Sequence, residues 1–290
     1  MQNFVIFTDS SSDLPISLVN ELGIKMVQLT VTLEGEDPKP NNLVNTKEFY
    51  GALRTKKSAT TSTPSINNFI EAFEPLVAEG NDMLYLGFSS GLSGTYNAGS
   101  VAAAELSEKY PDRKIFTVDT LCASLGQGLI VYSAAKMRER GASIEEVRDF
   151  VENNKLNLCH WFTVDDLFFL KRGGRVSAAT AVMGTMLSIK PVMHVDNAGK
   201  LINVEKARGR KAAIEALLRN MRDSHTDITN QPVFISHGDC IEDAEYLASR
   251  IEAEHGVKAE IITYVGSVIG AHSGPGTLAL FFVSRDGVQR

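Results

Sequence analysis

The chain runs to 290 residues, long enough for two packed α/β units and a large core. Its 43% apolar and 22% charged residues are ordinary globular composition and argue against long disordered stretches. A formal net charge of -6 counts against nucleic acid as a partner, because neutralising phosphates takes a surplus of Lys and Arg.

The opening MQNFVIFTDSSSD has neither a basic n-region nor a long apolar h-region, and no later run reaches the length of a membrane span, so a cytoplasmic protein is expected. FVIF reads as the first strand, DLPISLVNEL as a helix closed by Gly23, and the alternating IKMVQLTVTLE as the next strand, which is β-α-β order. Pro38 and Pro40 mark a polar loop before a helix around TKEFYGALR. In TSTPSINNFIEAFEPLVAEG, Pro64 suits a first helical turn, which puts the hydroxyls of residues 61–65 at a helix start.

MLYLGF reads as a buried strand, followed by SSGLSGT and a small-residue helix that stops before Pro111. KIFTVDT is another strand, and LCASLGQGLIVYSAAKMRERG another helix closed at Gly141, after which Ser143 and Glu146 form a capping box. Strands separated by helices imply a mostly parallel sheet in this half.

From about residue 156 the texture changes. WFTVDDLFFLKRGGRVS leads into a helical AATAVMGTML and then IKPVMHVDNAGKLINVEKARG, whose DNAG is a hairpin signal, so antiparallel pairing enters. RKAAIEALLRNM and EDAEYLASRIEAEHG are amphipathic helices; PVFISH, AEIITYV and ALFFV are strands. The fold class expected is α/β in two units, 1–155 with a mostly parallel sheet and 156–290 with a mixed sheet.

Cys122, Cys159 and Cys240 stand far apart with no C-x-x-C pair, and the six histidines are scattered, so neither disulfides nor a metal site is expected. SSGLSGT lacks the Lys of a P-loop and no G-x-G-x-x-G follows the first strand, which disfavours a nucleotide. GPGT at 274–277 and SHGD, with His237 and Asp239, are adequately explained as loops. The basic islands LKRGGR and Lys206, Arg208, Arg210, Lys211 are either a solvated face or a docking surface for an acidic or phosphate-bearing partner.

Two turns carry the chemistry, TSTPS at 61–65 and SSGLSGT at 89–95. Each sets several hydroxyls and free backbone N–H groups where an anion is favoured, although either turn alone is also what ordinary helix capping looks like. Gly87, Ser89 and Gly91 spell G-x-S-x-G after a strand, the nucleophile elbow of serine hydrolases, with His272 late enough in the chain to act as base. No HGGG-like oxyanion segment lies upstream, so a Ser89 esterase stands as the alternative function.

The ordered set TDSSSDLP, TSTPS, SSGLSGTYN, FTVDT, DDLFFLKRGGRVS, IKPV and IGAHSGPGT resembles the DegV family nearly end to end. The resemblance implies two α/β domains with an acyl chain buried in a tunnel, assigned to residues 156–290, and its carboxylate near the domain interface. It implies a non-catalytic lipid-binding subunit in phospholipid metabolism, which gives a long-chain fatty acid to a separate ATP-dependent fatty acid kinase for conversion to acyl-phosphate. On the matching motifs, Thr61, Ser93 and His272 would hold the carboxylate and Arg172 would work with the kinase. No cofactor other than the bound fatty acid is implied, and transient membrane contact would serve lipid exchange.

Overall fold

A computed structural model describes residues 4–177, 189–224, 228–229 and 231–284. The helical reading of AATAVMGTML falls outside these residues. Three sheets are present among them.

The first sheet joins β1 (Phe4–Asp9), β2 (Lys25–Val27), β6 (Asp82–Gly87) and β7 (Ile115–Asp119) in the order β2-β1-β6-β7, every pair parallel. β6 is buried along its whole length, which its uninterrupted MLYL run requires once helices cover both faces. The helices that wrap it include α3 (Ile66–Ala78), α4 (Thr95–Lys109), α5 (Leu125–Glu139) and α6 (Ile144–Asn154). α6 starts on the expected Ser143–Glu146 capping box. Gly99 lets α4 lie close on the sheet, since a Cβ there would sit 2.4 Å from the Tyr85 ring.

IKMVQLTVTLE is not one strand. β2 stays in the parallel sheet, whereas β3 (Thr30–Leu33) pairs antiparallel with β4 (Lys39–Pro40) and β5 (Ala59–Ser62) in a small separate sheet. The break falls at Gln28 and Leu29, where the Leu29 N–H donates to Ser10 Oγ at 2.9 Å instead of to a strand.

The third sheet has the order β10-β9-β8-β13-β11-β12, built from β8 (Leu158–Thr163), β9 (Ile189–Val195), β10 (Leu201–Arg208), β11 (Phe234–His237), β12 (Ile261–Tyr264) and β13 (Leu278–Val283). It is antiparallel except for the β11–β12 pair. The DNAG turn is present: Gly199 N–H donates to Asp196 C=O at 2.9 Å, and Gly199 has φ +70°, open to glycine at little cost.

α5 lies between the first and third sheets, and the largest core cluster runs through it, taking in Ile6, Leu84, Leu129, Phe162, Phe234 and Phe281. Two further helices, α7 (Leu167–Arg172) and α10 (Ser267–Ser273), pack against each other; α10 also packs on the small sheet and on α2 (Thr46–Arg54). Cys122 and Cys159 are buried and form no disulfide, whereas Cys240 is only half-buried at the start of the helix Ile241–His255. Among the described residues no helix is long and apolar enough to cross a membrane.

Candidate functional site

In the first sheet the chain leaves β1 to one side for β2 and returns on the other side as β6, so a crevice opens at the carboxyl ends of β1 and β6. The loops that follow β6 and β7 supply Phe88, Leu92, Ser93, Ala123 and Ser124 to a cavity there. The second half supplies Phe162, Val195, Leu201, Val268 and Phe281, so the cavity belongs to both halves rather than to residues 156–290 alone. With its open mouth included it encloses about 860 Å³ of empty space. Its wall is mainly apolar, and Thr61, Ser93, Arg175, His272 and Ser273 are among the polar side chains that line it.

Thr61 does not start a helix. It lies in β5 paired with Val31, and α3 begins only at Ile66, capped by Ser65 in a box with Asn68. Pro64 precedes that cap, where its fixed φ and missing N–H suit an extended approach as well as they suit a first helical turn. The strand aims Thr61 Oγ1 at His272 Nε2, 2.8 Å away, although the two are 211 residues apart in sequence.

Ser93 does sit at a strand-to-helix turn, one residue before the Gly94 cap of α4. Its Oγ accepts the Thr95 N–H at 3.2 Å and lies 2.8 Å from Thr95 Oγ1.

His272 is held neutral. Burial first, then the nearby guanidiniums of Arg175 and Arg172, pull its pKa down to about 4. If Nε2 carries the proton and donates to Thr61 Oγ1, the Thr61 O–H is released to donate elsewhere. If Thr95 Oγ1 donates to Ser93, the Ser93 O–H is released in the same way. Two hydroxyl donors lining one apolar cavity, with a helix N-terminus and a half-buried guanidinium also in its wall, are complementary to a single anionic group.

The LKRGGR segment explains itself here. A Cβ on Gly173 would fall 2.2 Å from His272 Nδ1, so the imidazole packs on bare backbone, and Gly174 turns at φ +73°. Arg175 then enters the cavity wall, where Nε donates to Leu92 C=O at 3.1 Å and burial lowers its pKa. Arg175, not Arg172, is the arginine of this segment that lines the cavity; in the sequence only the two intervening glycines hint that the chain turns between them. Arg172 itself is exposed at the end of α7, 4.9 Å over the Phe169 ring, and borders a surface groove with Lys56, Lys57 and Phe168.

Ser89 is not placed as a nucleophile. It is fully buried, absent from the cavity wall, and its Oγ donates to Gly199 C=O at 2.8 Å, while His272 is engaged with Thr61. His237 Nδ1 accepts the Cys240 N–H at 3.3 Å, and Asp239 pairs with Arg54, so SHGD is accounted for by its loop. Arg210 pairs with Asp243, whereas Lys206 and Arg208 are exposed. The described residues contain no group of His, Cys, Asp and Glu arranged to hold a metal.

An α/β scaffold with an apolar cavity at its sheet crevice, capped by hydroxyls and a neutral imidazole, defines a class of small-molecule-binding protein. Residues 3–285 match the family model described as an uncharacterised protein, DegV family, and the chain belongs to that family. It is 48% identical over 285 residues to a DegV domain-containing protein of Clostridium perfringens, covering 98% of both chains. A Streptococcus pyogenes relative is 34% identical, covering 98% of this chain and 99% of its own. Among solved structures, a Thermus thermophilus DegV family protein described by its fatty acid binding superposes with TM-score 0.85 at 31% identity, covering 98% of this chain and 100% of that one. A Thermotoga maritima protein with a fatty acid binding function gives 0.83 at 31% identity with the same coverage.

Proposed function

We propose that this protein binds a long-chain fatty acid, with the acyl chain in the apolar cavity and the carboxylate on Thr61, Ser93 and the imidazole of His272. The observation that carries the reading is a mainly apolar cavity lined by Thr61 Oγ1, 2.8 Å from His272 Nε2, and by Ser93 Oγ, which accepts the Thr95 N–H; with Nε2–H donating to Thr61, both hydroxyl protons are left for an anion. The fatty acid binding of the Thermus and Thermotoga relatives supports it.

The magnitudes divide the labour. Burying a methylene is worth about 0.8 kcal/mol, so a long chain contributes on the order of 10 kcal/mol, against roughly 1.5 to 3 for a hydrogen bond to a charged group. The cavity supplies affinity and the hydroxyls supply orientation.

The protein is not itself the catalyst in this reading. It offers one carboxylate oxygen to the terminal phosphorus of ATP held by a separate kinase subunit; the new P–O bond forms as ADP leaves, giving acyl-phosphate. Hydroxyl donors, with Thr61 oriented by the imidazole of His272, suit a carboxylate that must become a nucleophile, since a bidentate guanidinium would hold its lone pairs more tightly. Arg172, exposed on α7 beside the segment that packs on His272, is assigned to work with the kinase.

Native mass spectrometry of protein purified from bacteria is expected to show a bound mass in the long-chain fatty acid range. Arg172→Glu is expected to retain that ligand and to lose acyl-phosphate formation with the kinase. Intact phosphorylation in this variant would refute the docking assignment, and an empty wild-type protein would refute the ligand.

A further inference from the structure

Ser89, the nucleophile position of the hydrolase-like motif, has no part in the proposed function, and its surroundings give it a different task. Its hydroxyl is fully committed, donating to Gly199 C=O at 2.8 Å and accepting the Gly91 N–H at 3.2 Å. Its backbone carbonyl accepts the N–H groups of Leu92 at 3.0 Å and Ser93 at 3.1 Å, and its own N–H donates to Cys122 C=O at 3.0 Å. The path of the turn that carries Ser93 is therefore set from Ser89.

The partner surface is the tip of the β9–β10 hairpin. Asp196 shapes that tip by accepting the N–H groups of Ala198 and Lys200, each at 2.9 Å. Contact between tip and turn needs bare backbone on both sides. A Cβ on Gly91 would lie 2.4 Å from Ala198 C=O, and one on Gly199 would lie 2.1 Å from Ser89 Oγ. Two glycines facing each other across a buried serine make a fitted joint between a loop of the first half and a hairpin of the second. The same hairpin walls the cavity, through Val195 and Leu201 on either side of the turn.

We propose that Ser89 is a positioning residue, latching the Ser93 turn to the β9–β10 hairpin so that the wall of the apolar cavity and the hydroxyl at its polar end hold one register. Filling the cavity steadies Val195 and Leu201, and the latch passes that order to Ser93. The inference rests on the fatty-acid reading for its ligand but not on the kinase.

The test uses the full chain stripped of lipid, with hexadecanoic acid as probe, and follows amide hydrogen exchange in segments 91–95 and 195–201. In the wild type the probe is expected to slow exchange in both segments. In Ser89→Ala it is expected to bind and protect 195–201, while 91–95 exchanges roughly tenfold faster than in the wild type, the size expected from one lost buried hydrogen bond. Gly91→Ala, which pushes the tip away with Ser89 intact, should uncouple the segments in the same way. Should Ser89→Ala not fold, Ser89→Cys keeps the volume with a weaker donor and is expected to show a smaller loss at 91–95. Equal protection of both segments in wild type and variants would overturn the latch alone. A wild type that takes up no hexadecanoic acid would overturn the ligand, and the latch with it.

Discussion

The two ends of the cavity are built by opposite rules. The apolar body is assembled from side chains that could be exchanged for others of similar size, such as Phe162, Val195, Leu201 and Phe281, drawn from β8, β13 and the β9–β10 hairpin. The polar end depends on single atoms: Thr61 Oγ1 at 2.8 Å from His272 Nε2, and Ser93 Oγ fixed by Thr95. Hydrophobic burial is non-directional and grows with area, whereas hydrogen bonding is lost with a small displacement. A ligand held at such a site gets its affinity from one end and its pose from the other, and each end can be damaged separately.

The largest expected effect comes from shortening the apolar body. Ala279 lies on β13 in the cavity wall, and Ala279→Phe would displace several methylenes of the ligand. Hexadecanoic acid should lose roughly 100-fold in affinity by titration calorimetry, the cost of excluding three or four methylenes, while decanoic acid should lose much less. Equal losses for both chain lengths would mean that the polar end was disturbed instead.

Next in size is a pH effect at the polar end. The folded-state pKa of His272 is about 4, below the ordinary value of 6.5, so between these limits the unfolded chain binds the extra proton and stability falls as the pH drops from about 6.5 to 4. The loss is on the order of 2–3 kcal/mol. Asp13 works the other way. Buried, and bonded to Ser124 Oγ at 2.5 Å, it has its pKa raised to about 7, so it favours the folded state at low pH and loses that contribution as the pH rises towards 7. The His272 contribution is therefore read as the difference between wild type and His272→Gln in denaturant titrations at several pH values. The variant should lack the acid-side loss; identical slopes for the two proteins would contradict a buried neutral imidazole.

Smaller still is Ser93→Ala, expected to weaken fatty acid binding by roughly tenfold through loss of one charge-assisted hydrogen bond. Its effect on acyl-phosphate formation should exceed its effect on binding. A variant that binds tenfold more weakly but turns over normally once saturated would show that Ser93 supplies affinity and not pose.

Much of this was legible in the chain. Periodicity located the parallel strands around MLYLGF, the hairpin at DNAG and the box at Ser143 and Glu146, because each is decided by residues within a few positions of one another. The family motifs pointed to Thr61, Ser93 and His272, which the fold brings to one cavity. What was not legible depended on distant partners. Thr61 reads as a helix start until Val31 pairs with it, and Ser89 reads as a nucleophile until the tip of a hairpin 110 residues away covers it. Ser89 and Ser93 are four residues apart in one turn, yet the first faces backbone and the second faces the cavity. Arg175 was missed for the same reason, since only the packing of His272 on Gly173 shows where the chain beyond it turns.

The division between affinity and pose is tested most directly by measuring binding free energy against chain length, from decanoic to hexadecanoic acid, for wild type and Ser93→Ala. Two parallel lines are expected, each falling by about 0.8 kcal/mol per methylene and offset by a constant of about 1.4 kcal/mol, the tenfold loss expected of Ser93→Ala. Lines of different slope, or a wild-type line with no slope, would contradict the account.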